Sequence, residues 1–131
     1  MQPIAWPAYS FVHDVFFDAC PSGIGIVIQN VGGFHFPVDS LYSSVHIDYL
    51  ELFAGLAALE MCFLLGICSV NLYGDNTAAL AWLSKCFCVD APLLPWLYQW
   101  WRRFKSAGIN YFCQYVCSEE NPADEWSRMS S

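Results

Sequence analysis

The sequence predicts an α/β domain built on one mixed sheet, and two observations carry that prediction. Hydrophobic periodicity switches along the chain between the two-residue alternation of strands and the three-to-four-residue recurrence of helices, in the order βββ-α-β-α-α-β-α. The first three strands are separated only by turn signals, which makes them antiparallel neighbours, whereas the fourth and fifth each follow helical sequence, an α/β layout with one mixed sheet. The expected sheet therefore has five strands, antiparallel over strands 1–3, flanked by helices.

Residues 1–10, with two prolines, read as a lead-in or linker, and the folded domain is expected over 11–131. Phe11–Asp18 is aromatic and β-branched and ends at the turn signal Cys20-Pro-Ser-Gly23, so it reads as a first strand. Gly23–Gln29 makes the second, Asn30–Gly33 a turn and Phe34–Phe36 a short third. From Ile47 to Leu65, apolar residues recur at Leu50, Phe53, Ala54, Ala57, Met61 and Leu64, while the remaining face is nearly as apolar. Such a helix is buried on more than one side. Gly66 stops it, and Cys68–Tyr73 alternates as the fourth strand. Asn76–Lys85 is a short helix, Cys86–Ala91 a connector and Pro92–Ser106 a Trp-rich helix with Pro95 in its first turn. Ile109–Val116 is the fifth strand, Cys117–Glu120 a polar loop and Asn121–Arg128 the last helix.

Composition bounds the function classes. At 131 residues the chain is large enough for a core without disulfide support. With 56% hydrophobic and 18% aromatic residues, either that core is large or one face is covered by a neighbour, which suggests a piece of a larger assembly. Seven cysteines with no C-x-x-C pair suit reduced thiols in an intracellular protein, and Cys86, Cys88, Cys113 and Cys117 lack zinc spacing. The start has no signal-peptide pattern, and Leu50–Val70, the most membrane-like stretch, carries Glu51 and Glu60, so no membrane span is expected. A net charge of −7 is the wrong sign for a nucleic-acid binder unless acids hold divalent cations.

Four carboxylates, Asp18, Glu51, Asp75 and Asp124, fall at element boundaries. Each has a local explanation: Asp18 as a turn former, Glu51 as half of a capping box with Asp48, Asp75 as the cap of the helix at Asn76, and Asp124 as the partner of Asn121 around Pro122. Jointly they suggest more. A carboxylate at the carboxyl end of a strand, beside a helix N-terminus, stands where open α/β sheets place ligands. Phosphodiester cleavage by two metals needs clustered carboxylates, because Mg²⁺ takes hard oxygen ligands and two ions about 4 Å apart share them.

The residues around these acids carry a resemblance. Phe17-Asp18-Ala-Cys-Pro-Ser-Gly-Ile-Gly25, Leu50-Glu51-Leu-Phe-Ala54, Gly74-Asp75-Asn76 and Asn121-Pro-Ala-Asp124-Glu-Trp-Ser-Arg128 resemble, in order, the four motifs of ribonuclease H domains attached to reverse transcriptases. The nearest likeness is to DIRS-like (tyrosine-recombinase) retroelements and to hepadnavirus polymerases, and it spans Phe11 to Arg128. The ordered set is specific, whereas no single motif is. The resemblance implies a ribonuclease H-like fold, a five-stranded mixed sheet with strands 4 and 5 parallel, and makes Asp18, Glu51, Asp75 and Asp124 the expected ligands of two Mg²⁺ or Mn²⁺ ions. It further implies cleavage of the RNA strand of an RNA/DNA hybrid beside an adjacent reverse transcriptase domain, in the cytoplasm, the nucleus or a virus-like particle.

Asn76, next to a proposed ligand, is a candidate for the 2′-hydroxyl or base edge, with helix capping as its alternative. Arg102, Arg103 and Lys105, interleaved with Trp100, Trp101 and Phe104, are the only basic cluster and candidates for the hybrid backbone, or else a solvated helix face. Arg128 either meets phosphate or pairs with a nearby acid. Trp96, Trp100 and Trp101 read as core or interface residues rather than base-stacking platforms, and His46 is the histidine nearest the proposed site. The loop Tyr115–Asn121 lacks the histidine that many cellular family members carry there, which implies a slower or partner-dependent enzyme. The competing expectation is a catalytically inactive scaffold or protein-interaction domain of the same fold.

Overall fold

The structure, a computed structural model, describes residues 12–42, 44–85 and 94–129. The lead-in over 1–10 and the connector Cys86–Ala91 fall outside them. Strands β1 (His13–Cys20), β2 (Gly23–Ile28) and β3 (Gly32–Pro37) form an antiparallel meander, followed by helix α1 (Ile47–Leu64), strand β4 (Ser69–Gly74), helices α2 (Thr77–Lys85) and α3 (Leu94–Ser106), strand β5 (Asn110–Tyr115) and a short helix α4 (Ala123–Ser127). The sheet order is β3-β2-β1-β4-β5, with β1, β4 and β5 mutually parallel. The mixed five-stranded sheet is as the sequence predicts. No helix among the described residues is long and apolar enough to cross a membrane.

Alternation along each strand divides the sheet into two faces. Val15, Phe17, Ile26, Ile28, Val70 and Leu72 are fully or almost fully buried in one core with Leu52 and Leu59 of α1, Leu83 of α2 and Leu97 and Phe104 of α3. The opposite face is covered by α4 over β1, β2 and β3, and Phe16 of β1 stacks on Tyr73 of β4 at 4.8 Å. The Phe17 ring lies against Gly74, where any added Cβ would sit about 2.6 Å from it. Glycine there lets the strand pass over the ring just before Asp75.

Boundaries differ from expectation in three places. Strand β1 continues past Asp18, because Ala19 and Cys20 still pair with Ile24 and Gly23 across a two-residue turn. Asp18 therefore lies inside a strand and is no turn former. The turn after β2 is centred on Asn30, whose φ is 66°, and Gly32 and Gly33 belong to β3. The Trp126 indole lies so close over Gly33 that a Cβ there would collide with it. The last helix is shorter than Asn121–Arg128, because a 3₁₀ turn at Ser118–Glu120 precedes it and Asn121 and Pro122 form the junction.

Candidate functional site

The parallel register fixes two carboxylates first. Residues of β1 pair with residues of β4 at a constant offset, from His13 with Val70 to Phe16 with Tyr73, and the same offset continued two residues sets Asp18 level with Asp75. Asp75 follows β4 directly. It does not cap α2, because the Asn76 side chain does so, its Oδ1 accepting from the Ala79 N–H at 2.8 Å. Asp75 is thereby released from the local role its position offers.

Helix α1 delivers the third. His46 caps it through Nδ1, which accepts from the Asp48 N–H at 3.1 Å, so Asp48 and Glu51 form no capping box. Asp48 instead accepts a 2.8 Å hydrogen bond from the Asn76 Nδ2, tying the start of α1 to the start of α2. One turn on, Glu51 reaches the sheet end. A carboxylate oxygen from each of Asp18, Glu51 and Asp75 lies within 4.8 Å of the others.

Asp124 stands beside this group. It adds to the upward pull on the Asp18 carboxyl, and its Oδ1 pairs with Arg128 Nη2 at 3.3 Å. Two residues without a site role in the sequence reading hold Asp124 in place. Asn121, buried, donates from Nδ2 to the Phe17 carbonyl at 3.1 Å and accepts from the Ala123 N–H at 3.0 Å. Ser127, fully buried, has its hydroxyl 3.2 Å from Asp18 Oδ2 and 2.7 Å from the Asp124 carbonyl, two acceptors sharing one proton. The signal was present in the three-residue spacing Asn121, Asp124, Ser127, which places three polar groups along one side of a short turn.

Helix α4 is held to the sheet by backbone proximity. A Cβ at Gly25 would collide with the Ala123 carbonyl and the Ser127 N–H. The Trp126 carbonyl bonds His35 Nδ1 at 2.7 Å, and the Ser127 carbonyl accepts from Cys20 Sγ at 3.1 Å. The glycines of the first motif thus make room for the last motif.

The electrostatics of the group are unfavourable as they stand. Glu51 is only 3% exposed, and its Oε1 is buried with no hydrogen-bond partner. Burial above all, then the Asp18 and Asp75 carboxylates, push its pKa up to about 10. Asp18 is pushed up to about 6, chiefly by burial, with Asp75 and Asp124 adding and a hydrogen bond with Glu51 opposing. Three hard oxygen donors, close together, short of counter-charge and with one orphaned oxygen, suit a divalent cation.

The basic candidates lie elsewhere. Arg103 makes a bidentate pair with Glu60 of α1 at 2.6 and 2.9 Å, under the rings of Phe63 and Trp100. Trp96 packs edge-on against Phe53 of α1 and against Trp100. Arg102 and Lys105 stand exposed on the other side of α3, above Tyr98 and Trp101. Arg128, with a side chain 70% exposed, is on the acidic end through Asp124. Cys113 is half-buried, and desolvation pushes its thiol up to about 11, while Cys117 bonds Glu120. Zinc ligation by Cys86 and Cys88 concerns residues outside those described.

No family model and no curated protein matches the sequence. Solved structures do match the fold. The ribonuclease H1 of the halophilic archaeon Halobacterium salinarum NRC-1 superposes with a TM-score of 0.69 at 18% identity over 88% of this chain and 94% of that one. LC11 ribonuclease H1, in a complex with an RNA/DNA hybrid, gives 0.69 at 18% identity over 87% and 92%. The N-terminal ribonuclease H domain of a Mycobacterium tuberculosis protein gives 0.67 at 17% over 88% and 93%. The architecture is the ribonuclease H-like fold, complete from β1 to α4.

Proposed function

We propose that this chain is a metal-dependent endoribonuclease that cleaves the RNA strand of RNA/DNA hybrids. The observation that carries this reading is the convergence of Asp18, Glu51 and Asp75, from two strands and a helix, with a buried unpartnered oxygen among them. The hybrid bound to a structural neighbour supports the substrate class. The ordered motifs support an origin as a domain of a reverse-transcribing element's polyprotein, next to its polymerase and working in the cytoplasm, nucleus or a virus-like particle. A neighbouring polymerase domain would supply hybrid affinity that a chain of charge −7 lacks.

Asp18, Glu51 and Asp75 would hold the metal, with Asp124 completing the set. Two Mg²⁺ or Mn²⁺ ions bound there would supply a hydroxide nucleophile at neutral pH and neutralise charge on the leaving 3′ oxygen. The protein's own part is to fix the carboxylates before substrate arrives. Asn121 anchors the turn before α4 to the Phe17 carbonyl, and Ser127 orients Asp18. Asn76 spends Oδ1 on capping and one Nδ2 hydrogen on Asp48, which leaves one amide hydrogen for a 2′ oxygen. Arg128 has guanidinium donors beyond its bond to Asp124 for a phosphate. A contact from Arg103 to the backbone has to share or break its pair with Glu60, whereas Arg102 and Lys105 have no carboxylate partner among the described residues.

The test is cleavage of an end-labelled RNA/DNA hybrid in Mg²⁺ or Mn²⁺, with Asp75→Asn, single-stranded RNA and duplex DNA as controls. Metal-dependent loss of the RNA strand alone, reduced on the order of 10³-fold or more by Asp75→Asn, is expected. Cleavage of duplex DNA as well would indicate another nuclease of the same fold. No cleavage, together with no rise in Tm in millimolar Mn²⁺, would replace this reading with the inactive scaffold.

A further inference from the structure

Helix α3 carries its aromatic and basic residues on two distinct sides. Trp96, Trp100 and Arg103 turn to α1, where Phe53 and Glu60 meet them, and Leu97 and Phe104 enter the core. Tyr98, Trp101, Arg102 and Lys105, at positions i, i+3, i+4 and i+7, make a separate row facing solvent. The Tyr98 and Trp101 rings stack on each other, 5.8 Å apart and 20° from parallel. Arg102 lies 5.8 Å over Tyr98 and Lys105 5.5 Å over Trp101. Tyr98 is 50% exposed, and both cations are exposed.

Charge makes this row unusual in the molecule. Of five Lys and Arg residues in a chain of net charge −7, Arg103 pairs with Glu60, Arg128 pairs with Asp124, and Lys85 lies apart at the end of α2. Arg102 and Lys105 have no carboxylate among the described residues, and their charges rest against rings. Two cations without a carboxylate, each lying over one of two stacked aromatics, complement a polymer that alternates anionic groups with flat faces: when Arg102 and Lys105 swing from the rings to phosphates, the ring faces they cover are opened to bases. A duplex hides its base faces in its own stack, whereas an unpaired strand offers both phosphates and faces.

We propose that the Tyr98–Trp101–Arg102–Lys105 row binds single-stranded nucleic acid by stacking and phosphate contact, at a site separate from the acidic cluster. The row spans about 10 Å of helix, room for roughly three stacked nucleotides. Trp96 meets Phe53 while Arg103 meets Glu60, so α3 runs parallel to α1, and the Tyr98 end is the one nearer Glu51. An unpaired strand leaving a hybrid at the acidic end would meet Tyr98 first. Binding by the row does not depend on the acids being catalytic.

The test uses the whole chain and a dye-labelled single-stranded DNA of about 12 nucleotides in chelator, with anisotropy as the readout. Native protein is expected to bind with a salt dependence that Arg102→Ala/Lys105→Ala flattens by about 1.4 in the slope of log K against log salt. Tyr98→Ala/Trp101→Ala is expected to weaken binding roughly tenfold or more, and Tyr98→Phe/Trp101→Phe to restore most of it. Tm and circular dichroism confirm that each variant is folded. Salt-independent binding, or affinity unchanged by both Ala pairs, overturns the proposal. So does an effect of these variants on self-association with none on the oligonucleotide, which would make the row a protein interface. Chelator blocks metal-dependent cleavage, so failure here leaves the nuclease reading intact, and inactivity on hybrid leaves this site intact.

Discussion

The acidic end of the sheet and the outer side of α3 both concentrate charge, and they hold it in opposite ways. At the sheet end, Asp18 and Glu51 are 4% and 3% exposed and are placed by the parallel register of β1 and β4 and by a helix start tied to its neighbour. On α3, the cations are in water and rest on rings of their own helix. A charge buried among like charges is costly unless something else binds there, while a solvated charge costs almost nothing to place. Buried charge therefore points to a ligand more strongly than exposed charge does.

Removing charge from the buried side should have the largest consequences. Glu51→Gln should cut hybrid cleavage on the order of 10³-fold or more, yet raise the Tm of the metal-free protein by about 3 °C or more. The pH dependence follows from the direction of the shifts. In the unfolded chain Glu51 loses its proton near its ordinary value of 4.5, but in the fold it keeps it until about 10. The native state consequently loses stability as pH rises through that window, with Asp18 adding to the fall between 3.8 and about 6. Mn²⁺ takes the place of the proton, so its stabilisation should grow with pH. Thermal melts from pH 5 to 9, with and without metal, check this. A native protein whose metal-free Tm rises with pH would contradict the burial of Glu51.

The clamp on α4 comes next. Gly25→Ala places a methyl against the Ala123 carbonyl and the Ser127 N–H, both backbone, so the helix must move. The expected cost is about 1–3 kcal/mol in denaturant unfolding, with cleavage falling in parallel as Asp124 and Ser127 leave Asp18. Ser127→Ala should cost about 1 kcal/mol and lower activity roughly tenfold. Its acid limb should shift upward, because Asp18 loses a hydrogen bond to its charged form. Equal stability loss without that shift would make Ser127 a packing residue only.

Element order and the sheet were legible because period switching and turn signals are local. The four acids stood out in the sequence as motif members, although Asp18 lies inside β1 and Glu51 inside α1 rather than at an element boundary. What could not be read was which local role each would abandon. Asp75 and Asn76 are adjacent candidates for one cap, and only the Asp48–Asn76 bond, spanning 28 residues, settles that Asn76 takes it. Likewise the three bases of α3 look alike in sequence, yet the Glu60 pair, 43 residues away, separates Arg103 from its neighbours. Gly25 and Gly33 read as ordinary strand and turn glycines until Trp126 and Ser127 are seen above them.

The smallest effect separates the two sides of α3. The Arg103 and Glu60 side chains are 44% and 24% exposed, so solvent screens much of their attraction, and Glu60→Ala should cost no more than about 1 kcal/mol. Its value lies in what it does to Arg103. With Glu60 gone, the guanidinium keeps only Phe63 and Trp100 and becomes a third free cation on the helix. If Arg103 is turned too far toward α1 to reach a strand held by Arg102 and Lys105, the salt slope for oligonucleotide binding should not change. A slope steeper by about 0.7 would instead mean that Arg103 joins the outer row once released, and that Glu60 normally withholds it.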